Sequence, residues 1–423
     1  MVNIKTFWSA DGTHLPPIDP HTKAKHLVME EYIKNWILTL CGNNMGNRKT
    51  VTLIDGFSGG GMYIDTENNK ALWEGSPIRM IKMVEEGLRL VRSEKSKPDY
   101  QLNVKFIFID SKRDHLDCLK LQIKEAGLES YINNPDKCEF FCNEFENVVE
   151  RCIAEVNRRK GSSFFFLDPF GWTDVSMESI RKIINLGKSE ILFTFMTDFI
   201  KRFLPKKEEI LNKPLQILEA TDYFCFADLD KIDSLNQQRY IRNESLRLFR
   251  EQGNVKYVWT FALVPKIKYV LYYLVHLSSH PKALEVMKNT LWIYNNLEYQ
   301  YHFDIYGLGY KTPDDYKNNP KIFNIVESNN KMCIKELIYQ IQPVINSRED
   351  GITLDELNAM TMQKNPATIN HYISSINELK GCSEVEVLKP DGNKFTGEKI
   401  HPKYIIRKSQ NRLLFDLKPF IKS

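Results

Sequence analysis

The sequence has little of what marks a membrane, secreted or disulfide-bonded protein. No apolar run approaches the about 18 residues that a membrane-spanning helix needs. The polar start MVNIKTFWSADGTH lacks the apolar core of a signal peptide. The eight cysteines include no CxxC pair, so we expect reduced thiols rather than a disulfide framework. These absences predict a cytoplasmic protein with no membrane segment.

Two further absences narrow the class of ligand. Cys138 and Cys142 are four residues apart, but no matching cysteine or histidine pair lies nearby, so no metal site is predicted. The dinucleotide fingerprint G-x-G-x-x-G is also missing. The chain is therefore not expected to bind a dinucleotide in the usual way.

The composition is that of a globular protein, with 42% hydrophobic and 26% charged residues. A chain of 423 residues is too long for one ordinary core, so at least two domains are expected. Composition and periodicity predict an N-terminal helical arm, an α/β domain, a connector and a C-terminal domain, at residues 1–49, 50–296, 297–330 and 331–423.

The α/β domain is predicted from apolar strands that alternate with amphipathic helices, a pattern typical of a parallel sheet covered on both faces. Five such strands are expected at 51–56, 103–110, 137–143, 162–168 and 189–196. Two more, at 256–264 and 268–278, are separated by a short connection that contains Pro265 and Lys266, which predicts an antiparallel hairpin at the sheet edge. Parallel strands followed by a late antiparallel pair favour the class I methyltransferase version of the Rossmann-like sheet.

The C-terminal domain has the outline of a winged helix-turn-helix. Helices are predicted at 332–345, 352–362 and 365–381, followed by strands at 383–389 and 401–408 that a polar loop joins. In this interpretation, helix residues enter a nucleic-acid groove and loop lysines contact phosphates. The candidates are Asn365, Asn370, His371 and Ser374 for the groove, and Lys394, Lys399 and Lys403 for the phosphates. Winged helices also bind proteins, so this alternative stays open.

The segment DGFSGGGMY follows the first strand of the α/β domain. Its glycines permit positive φ and a close approach of backbone to a ligand. It resembles the first motif of class I S-adenosylmethionine enzymes, which predicts cofactor contacts from Asp55, Phe57, Ser58, Gly59 and Gly61. The alternative is a tight strand-to-helix turn without a ligand.

Polar residues also end the next two strands. Asp110 is expected to accept the ribose hydroxyls, or else to cap the helix that begins near residue 112. Asn143 and Glu144 are expected beside the adenine ring, although Asn143 serves equally well as a helix cap. The segment 62–75 is predicted to be a loop over the cofactor.

The run Asp168-Pro169-Phe170-Gly171-Trp172 ends the fourth strand. The Asp168 carboxylate and the Pro169 carbonyl can accept the two hydrogens of an amine that attacks a sulfonium methyl, a reaction that needs positioning more than a strong base. Phe170 or Trp172 can stack on a flipped-out base. The alternative is an Asp-Pro turn before a helix.

With DGFSGGGMY, WEGSPIR, LDPFGW and HPKALEVM, the chain resembles the three-Cys-motif partner protein family (TcmP). The resemblance implies a methyltransferase-like fold, S-adenosylmethionine as cofactor, a C-terminal winged helix, and a partner protein with the three-cysteine motif of radical S-adenosylmethionine enzymes. The Asp-Pro-Phe-Gly run is also similar to that of enzymes that methylate the exocyclic amine of guanine in transfer RNA.

The sequence thus predicts an S-adenosylmethionine-dependent methyltransferase that acts on an amine nitrogen of a nucleic-acid base. The alternative is a non-catalytic adaptor that binds nucleic acid, DNA or RNA, or the three-cysteine-motif partner.

Overall fold

The structure is a computed structural model that describes residues 7–42, 44–169, 171, 174–196, 215–224, 233–264, 272–297, 308–311 and 322–410. The chain divides into two compact units. We call Met1–Asn295 with Asp304–Lys317 the sheet unit, and Asn296–Phe303 with Asn318–Ser423 the C-terminal unit. No helix in the described ranges is long and apolar enough to cross a membrane.

The sheet unit contains ten described strands and eight described helices. The strands are β1 Arg48–Asp55, β2 Met62–Asp65, β3 Ala71–Glu74, β4 Gln101–Asp110, β5 Cys138–Cys142, β6 Ser162–Leu167, β7 Ser189–Phe195, β8 Tyr257–Val264, β9 Tyr272–Ser278 and β10 Leu308–Lys311. The helices are α1 Pro20–Gly42, α2 Ser76–Glu94, α3 Arg113–Glu125, α4 Glu129–Ile132, α5 Phe145–Arg159, α6 Met177–Ile184, α7 Ser234–Glu251 and α8 Pro281–Tyr294.

Eight of these strands form one sheet in the order β10-β8-β9-β7-β6-β1-β4-β5. Neighbouring strands are parallel except where β9 pairs with β7 and β8. Every residue of β6 is buried, as expected for a central strand with layers on both faces. A mostly parallel sheet with flanking helices and one reversed strand near its end fits a class I methyltransferase-like α/β fold.

The late strand pair differs in position from the prediction. Strands β8 and β9 are antiparallel as expected, but β9 lies inside the sheet between β7 and β8. The edge is instead formed by β10, which pairs in parallel with β8 and lies within the predicted connector. A four-residue strand of sequence LGYK is too short to show a periodic pattern, so only the pairing reveals it.

The segment after the glycine turn is a hairpin, whereas the sequence predicts a loop there. Strands β2 and β3 pair antiparallel, with Met62 opposite Glu74. The chain before α1 extends this small sheet, because Ile64 N donates to Pro16 O at 2.9 Å and Ile18 N donates to Ile64 O at 2.9 Å. The N-terminal segment is therefore fixed next to the glycine turn.

The C-terminal unit contains three helices and a small antiparallel sheet of order β11-β13-β12 in its described part. Its elements are α9 Ile322–Asn346, β11 Ile352–Thr353, α10 Leu354–Thr361, α11 Ile369–Gly381, β12 Val385–Leu388 and β13 Ile405–Lys408. Thr353 caps α10 in a capping box with Glu356. Helix α9 begins ten residues before its predicted start at 332, through the Asn-rich stretch that the sequence assigns to a connector.

Candidate functional site

Three carboxylates lie close together at the carboxyl ends of neighbouring parallel strands in the middle of the sheet. Asp55 ends β1, Asp110 ends β4, and Asp168 directly follows β6. These strands are neighbours in the order β6-β1-β4, and Asp55 is opposite both Phe108 of β4 and Phe166 of β6. The carboxyl ends of parallel strands are where open α/β sheets bind their ligands. The structure therefore brings together three of the residues that the sequence singles out.

A cavity of about 530 Å³ opens at this edge, between the sheet and the start of α1. Its wall includes Phe57, Gly59, Asp168, Pro169 and Thr194. Thr194, at the end of β7, is 1% exposed, and its hydroxyl has no hydrogen-bond partner among the described residues. An unpaired buried hydroxyl on a cavity wall is costly unless a ligand or water bonds it. This residue was not predicted from the sequence.

Asp168 is held by a lysine that the sequence analysis missed. The Lys25 Nζ atom on α1 donates to both carboxylate oxygens of Asp168, at 2.6 Å each. The Lys25 side chain is 9% exposed and that of Asp168 is 18% exposed, and both line the cavity. The carboxylate is thus reachable from the cavity and already bound to a nitrogen.

The sequence did contain a signal for Lys25. It lies at helical spacing with Val28, Met29, Tyr32 and Trp36, all on the buried face of α1. A lysine within an apolar stripe needs a charged partner, because an unpaired buried ammonium is strongly unfavourable. The pattern could have identified a buried ion pair, but not Asp168 as its partner.

Asp55 is fully buried, and its two oxygens differ. Oδ1 accepts a hydrogen bond from Phe57 N at 3.1 Å. Oδ2 has no partner with hydrogen-bond geometry in the described chain, although Ser76 is close enough to lower the pKa. Burial, assisted by the nearby charges of Asp168 and Asp110, raises the pKa of Asp55 to about 7.

Asp110 holds the glycine turn against β4. Its Oδ2 accepts from Gly59 N at 3.1 Å, and its Oδ1 accepts from Lys112 N at 2.9 Å. Ser58 adds to the same connection, since its backbone N and its hydroxyl both donate to Ile109 O. Asp110 Oδ1 also lies 3.1 Å from Nδ1 of the buried His115. Ribose binding by Asp110 stays a prediction.

The glycine turn has the backbone that its sequence predicts, with φ of +58° at Gly59 and +80° at Gly61. The space over it is partly filled by Trp8. A Cβ atom on Gly60 would lie 2.2 Å from Trp8 Cγ, and one on Gly59 would lie 3.0 Å from the same ring. Trp8 is 1% exposed and donates from Nε1 to Met62 O at 2.6 Å. These contacts give the glycines a packing role beside any ligand.

The predicted adenine residues are exposed and do not line the cavity. The Asn143 side chain accepts from Glu144 N at 2.9 Å and from Asn147 Nδ2 at 3.0 Å. Glu144, not Asn143, is the N-cap residue of α5, and it makes no side-chain cap bond. Phe57 packs against Phe145, with 5.9 Å between the ring centroids.

Two of the predicted substrate residues, Phe170 and Trp172, lie outside the described residues. Pro169 lines the cavity beside Asp168. Gly171 N donates to Asp174 Oδ2 at 2.8 Å.

The C-terminal unit corrects part of the predicted groove surface. Asn365 is 2% exposed, and its amide donates to Thr361 O and Tyr372 OH. His371 is 7% exposed and bonds Thr368 and Asn330. Both side chains hold the helices together instead of facing outward. The predicted phosphate-binding lysines Lys394, Lys399 and Lys403 are exposed.

No protein-family model matches the chain, and no curated protein matches it. Two solved structures are similar to part of it. Cofactor-bound Rv0187 from MTB shares 10% identity over 62% of this chain and 90% of that chain, with a TM-score of 0.27. The O-methyltransferase from Bacillus cereus in complex with SAH shares 11% identity over 58% and 80%, with a TM-score of 0.26. At these TM-scores, the fold rests on the strand order of the chain itself.

Proposed function

We propose that the sheet unit is an S-adenosylmethionine-dependent methyltransferase whose acceptor is an amine nitrogen, in the first instance that of a nucleic-acid base. The observation that carries the proposal is the position of Asp168. Its carboxylate lies on the same cavity wall as the Gly59 turn and holds the Lys25 nitrogen through both oxygens. A carboxylate that binds one N–H donor in this manner is able to bind another.

The residues present fit the cofactor at three points. A cavity of about 530 Å³ is within the about 300–1,000 Å³ usual for small-molecule sites. The Thr194 hydroxyl on its wall, which has no partner among the described residues, can form a hydrogen bond with a polar group of the ligand. Gly59 presents backbone to the same space. When bound, S-adenosylmethionine supplies a methyl group on a positively charged sulfur.

The roles of the chain follow from this arrangement. Gly59 and Phe57 contact the cofactor, and Asp110 fixes the turn while accepting the ribose hydroxyls. Asn143 and Glu144, which are exposed, contact the adenine ring from outside the cavity wall. Asp168 and the Pro169 carbonyl orient the acceptor nitrogen. Positioning of this kind is sufficient for attack on a sulfonium methyl, because the electrophile is already activated.

A thermal-shift titration with S-adenosylmethionine tests the cofactor. Binding to the native state alone stabilises it by about 2.7 kcal/mol at a 100-fold excess over the dissociation constant. We therefore expect a saturable rise in melting temperature. No rise at saturating concentration would remove the methyltransferase proposal.

The Asp168→Ala variant tests the acceptor role. We expect methyl transfer to a pool of transfer RNA and DNA to be lost, because the acceptor nitrogen is no longer oriented. Nucleic-acid affinity should stay nearly unchanged, since Asp168 belongs to the sheet unit and the predicted phosphate-binding lysines belong to the C-terminal unit. Survival of methyl transfer would contradict the assignment of Asp168.

The second candidate is an adaptor that binds nucleic acid or a three-cysteine-motif partner through the C-terminal unit. It is favoured by the order of elements there, in which helices precede a β12–β13 hairpin whose connecting loop is polar. This order is typical of a winged helix-turn-helix. The loop and its end carry the exposed Lys394, Lys399 and Lys403.

A further inference from the structure

The Lys25 nitrogen occupies the position at which an acceptor amine would bind. Its Nζ atom is 2.6 Å from each oxygen of Asp168, the carboxylate assigned above to orienting the acceptor. Lys25 itself lines the cavity together with Gly59 and Thr194. A foreign amine that bound Asp168 would have to share the carboxylate with Lys25, whose nitrogen is already in place.

We propose that Lys25 is itself a methyl acceptor, so that the protein modifies its own α1 helix. This inference rests on the proposed function and names an acceptor for the same site. In the reaction, one proton first passes from Lys25 Nζ to Asp168 and then to water, which leaves a lone pair on Nζ. This pair forms the bond between Nζ and the methyl carbon, while the bond between that carbon and the sulfonium sulfur breaks with its electron pair left on sulfur.

The product is compatible with the observed contacts. Methylation of lysine keeps its positive charge. A monomethylated Nζ still has two hydrogens, enough to donate to both oxygens of Asp168. The ion pair therefore persists after transfer, and no buried charge is left alone. The cavity beside Nζ provides room for the added carbon.

Lys23 is a matched internal control on the same helix. Its Nζ atom also lies 2.6 Å from a carboxylate oxygen, that of Asp65, and 3.2 Å from Glu67. Unlike Lys25, it is absent from the cavity wall. Nonspecific chemical methylation by the sulfonium would mark Lys23 and Lys25 alike, whereas transfer within the site marks only Lys25.

The experiment uses the full chain, incubated with S-adenosylmethionine and digested by a protease that does not cut at lysine. Fragment mass spectra then assign each added methyl group to Lys23 or Lys25. We expect occupancy at Lys25 to exceed that at Lys23 roughly tenfold or more, a barrier difference of about 1.4 kcal/mol. The mark should persist in Lys23→Arg and be lost in Asp168→Asn.

Binding is measured separately by the thermal shift that S-adenosylhomocysteine causes, since this product has no methyl group to transfer. A shift together with an unmodified Lys25 would overturn self-methylation and leave the proposed function standing. Equal marks on Lys23 and Lys25 would also overturn it. No shift with either compound would instead remove the proposed function, and the self-methylation with it. The wild-type comparison of the two lysines holds even if Asp168→Asn fails to fold.

Discussion

Asp55 links the stability of the protein to pH, because it is a buried carboxyl group with a raised pKa. It is fully buried, and burial together with the charges of Asp168 and Asp110 raises its pKa to about 7. In the unfolded chain the same group titrates near pH 4. Between these two values the native state binds a proton that the unfolded state has lost. The free energy of unfolding therefore falls as the pH rises from about 4 to about 7, and Asp55 adds no further change above that range.

The Asp55→Asn variant should remove this dependence. The amide oxygen can still accept from Phe57 N, but no charge is buried. Relative to wild type, we expect the variant to gain stability as the pH rises, by on the order of 4 kcal/mol between about pH 4 and pH 8. Urea unfolding of both proteins across this range measures it. The exposed Asp136→Asn variant is the control, and parallel curves for wild type and Asp55→Asn would contradict the prediction.

Lys25 and Asp168 show what a single sequence cannot supply at the residue scale. The residues that end β1, β4 and β6 were predictable, because the carboxyl ends of parallel strands share an edge. The partner of Asp168 was not, since 143 residues separate it from Lys25 and no periodicity relates a helix face to one strand end. Thr194 was missed for a similar reason. Thr194 is a candidate because its buried hydroxyl has no hydrogen-bond partner among the described residues, and only the folded structure shows this.

At the scale of elements, the N-terminal segment and the glycine turn form one packed unit. Trp8 contacts Gly59 and Gly60 and stands edge-on to Tyr63, with ring centroids 5.1 Å apart. The φ of Gly60 is not positive, so a side chain there is excluded by Trp8 and not by backbone strain. We therefore expect substitutions at Trp8 and Gly60 to have non-additive effects on the free energy of unfolding.

We expect Gly60→Ala to destabilise the protein by about 1–3 kcal/mol through overpacking. The Trp8→Ala change alone should cost about 3–5 kcal/mol. In the Trp8→Ala background, the two nearest ring atoms, at 2.2 and 2.3 Å, are gone and the Cβ atom at 2.6 Å remains, so Gly60→Ala should cost less. Urea unfolding of the four proteins gives the coupling energy, expected to be on the order of 1 kcal/mol.

Gly61→Ala is the matched control for this cycle. Its φ is +80° and its Cβ would meet Leu119 at 2.6 Å, so it should destabilise equally with or without Trp8. Additive behaviour of Gly60→Ala and Trp8→Ala would show that the tryptophan does not pack on the turn as described.

Elements with a strong local pattern were predictable, and short ones were not. Helix α1 runs over Pro20–Gly42 within the predicted helical arm at 1–49, since its buried apolar residues recur at helical spacing. The hairpin β2–β3 and strand β10 each consist of four-residue strands that are stabilised by their partners. Their sequences, MYID, ALWE and LGYK, carry too little periodicity to distinguish a strand from a loop.

At the scale of the whole molecule, the two units present different chemistry. The sheet unit places the Asp168 carboxylate and Lys25 together on the wall of a cavity, an arrangement suited to binding an amine nitrogen. The C-terminal unit instead has exposed lysines on and after the loop of its hairpin. The Lys394 ion pair is long, with 3.9 Å between Lys394 Nζ and Glu386 Oε2. Such exposed lysines can contact phosphates, since long surface ion pairs contribute little.

Nucleic-acid binding by this loop predicts a specific salt dependence. Each phosphate that a lysine neutralises releases counterions and adds about 0.9 to the slope of log K against log salt for duplex DNA. Replacing Lys394, Lys399 and Lys403 by glutamine should therefore lower the slope by up to about 2.7 and weaken binding to all sequences alike. Fluorescence anisotropy of the full chain with a labelled duplex, at several salt concentrations, measures both quantities.

As a control of equal charge, three exposed lysines of the sheet unit are replaced instead, namely Lys95, Lys124 and Lys137. An equal loss of the slope of log K against log salt in both triple variants would mean that net charge, not this loop, attracts the nucleic acid. An unchanged slope in the loop variant would assign the C-terminal unit to a protein partner.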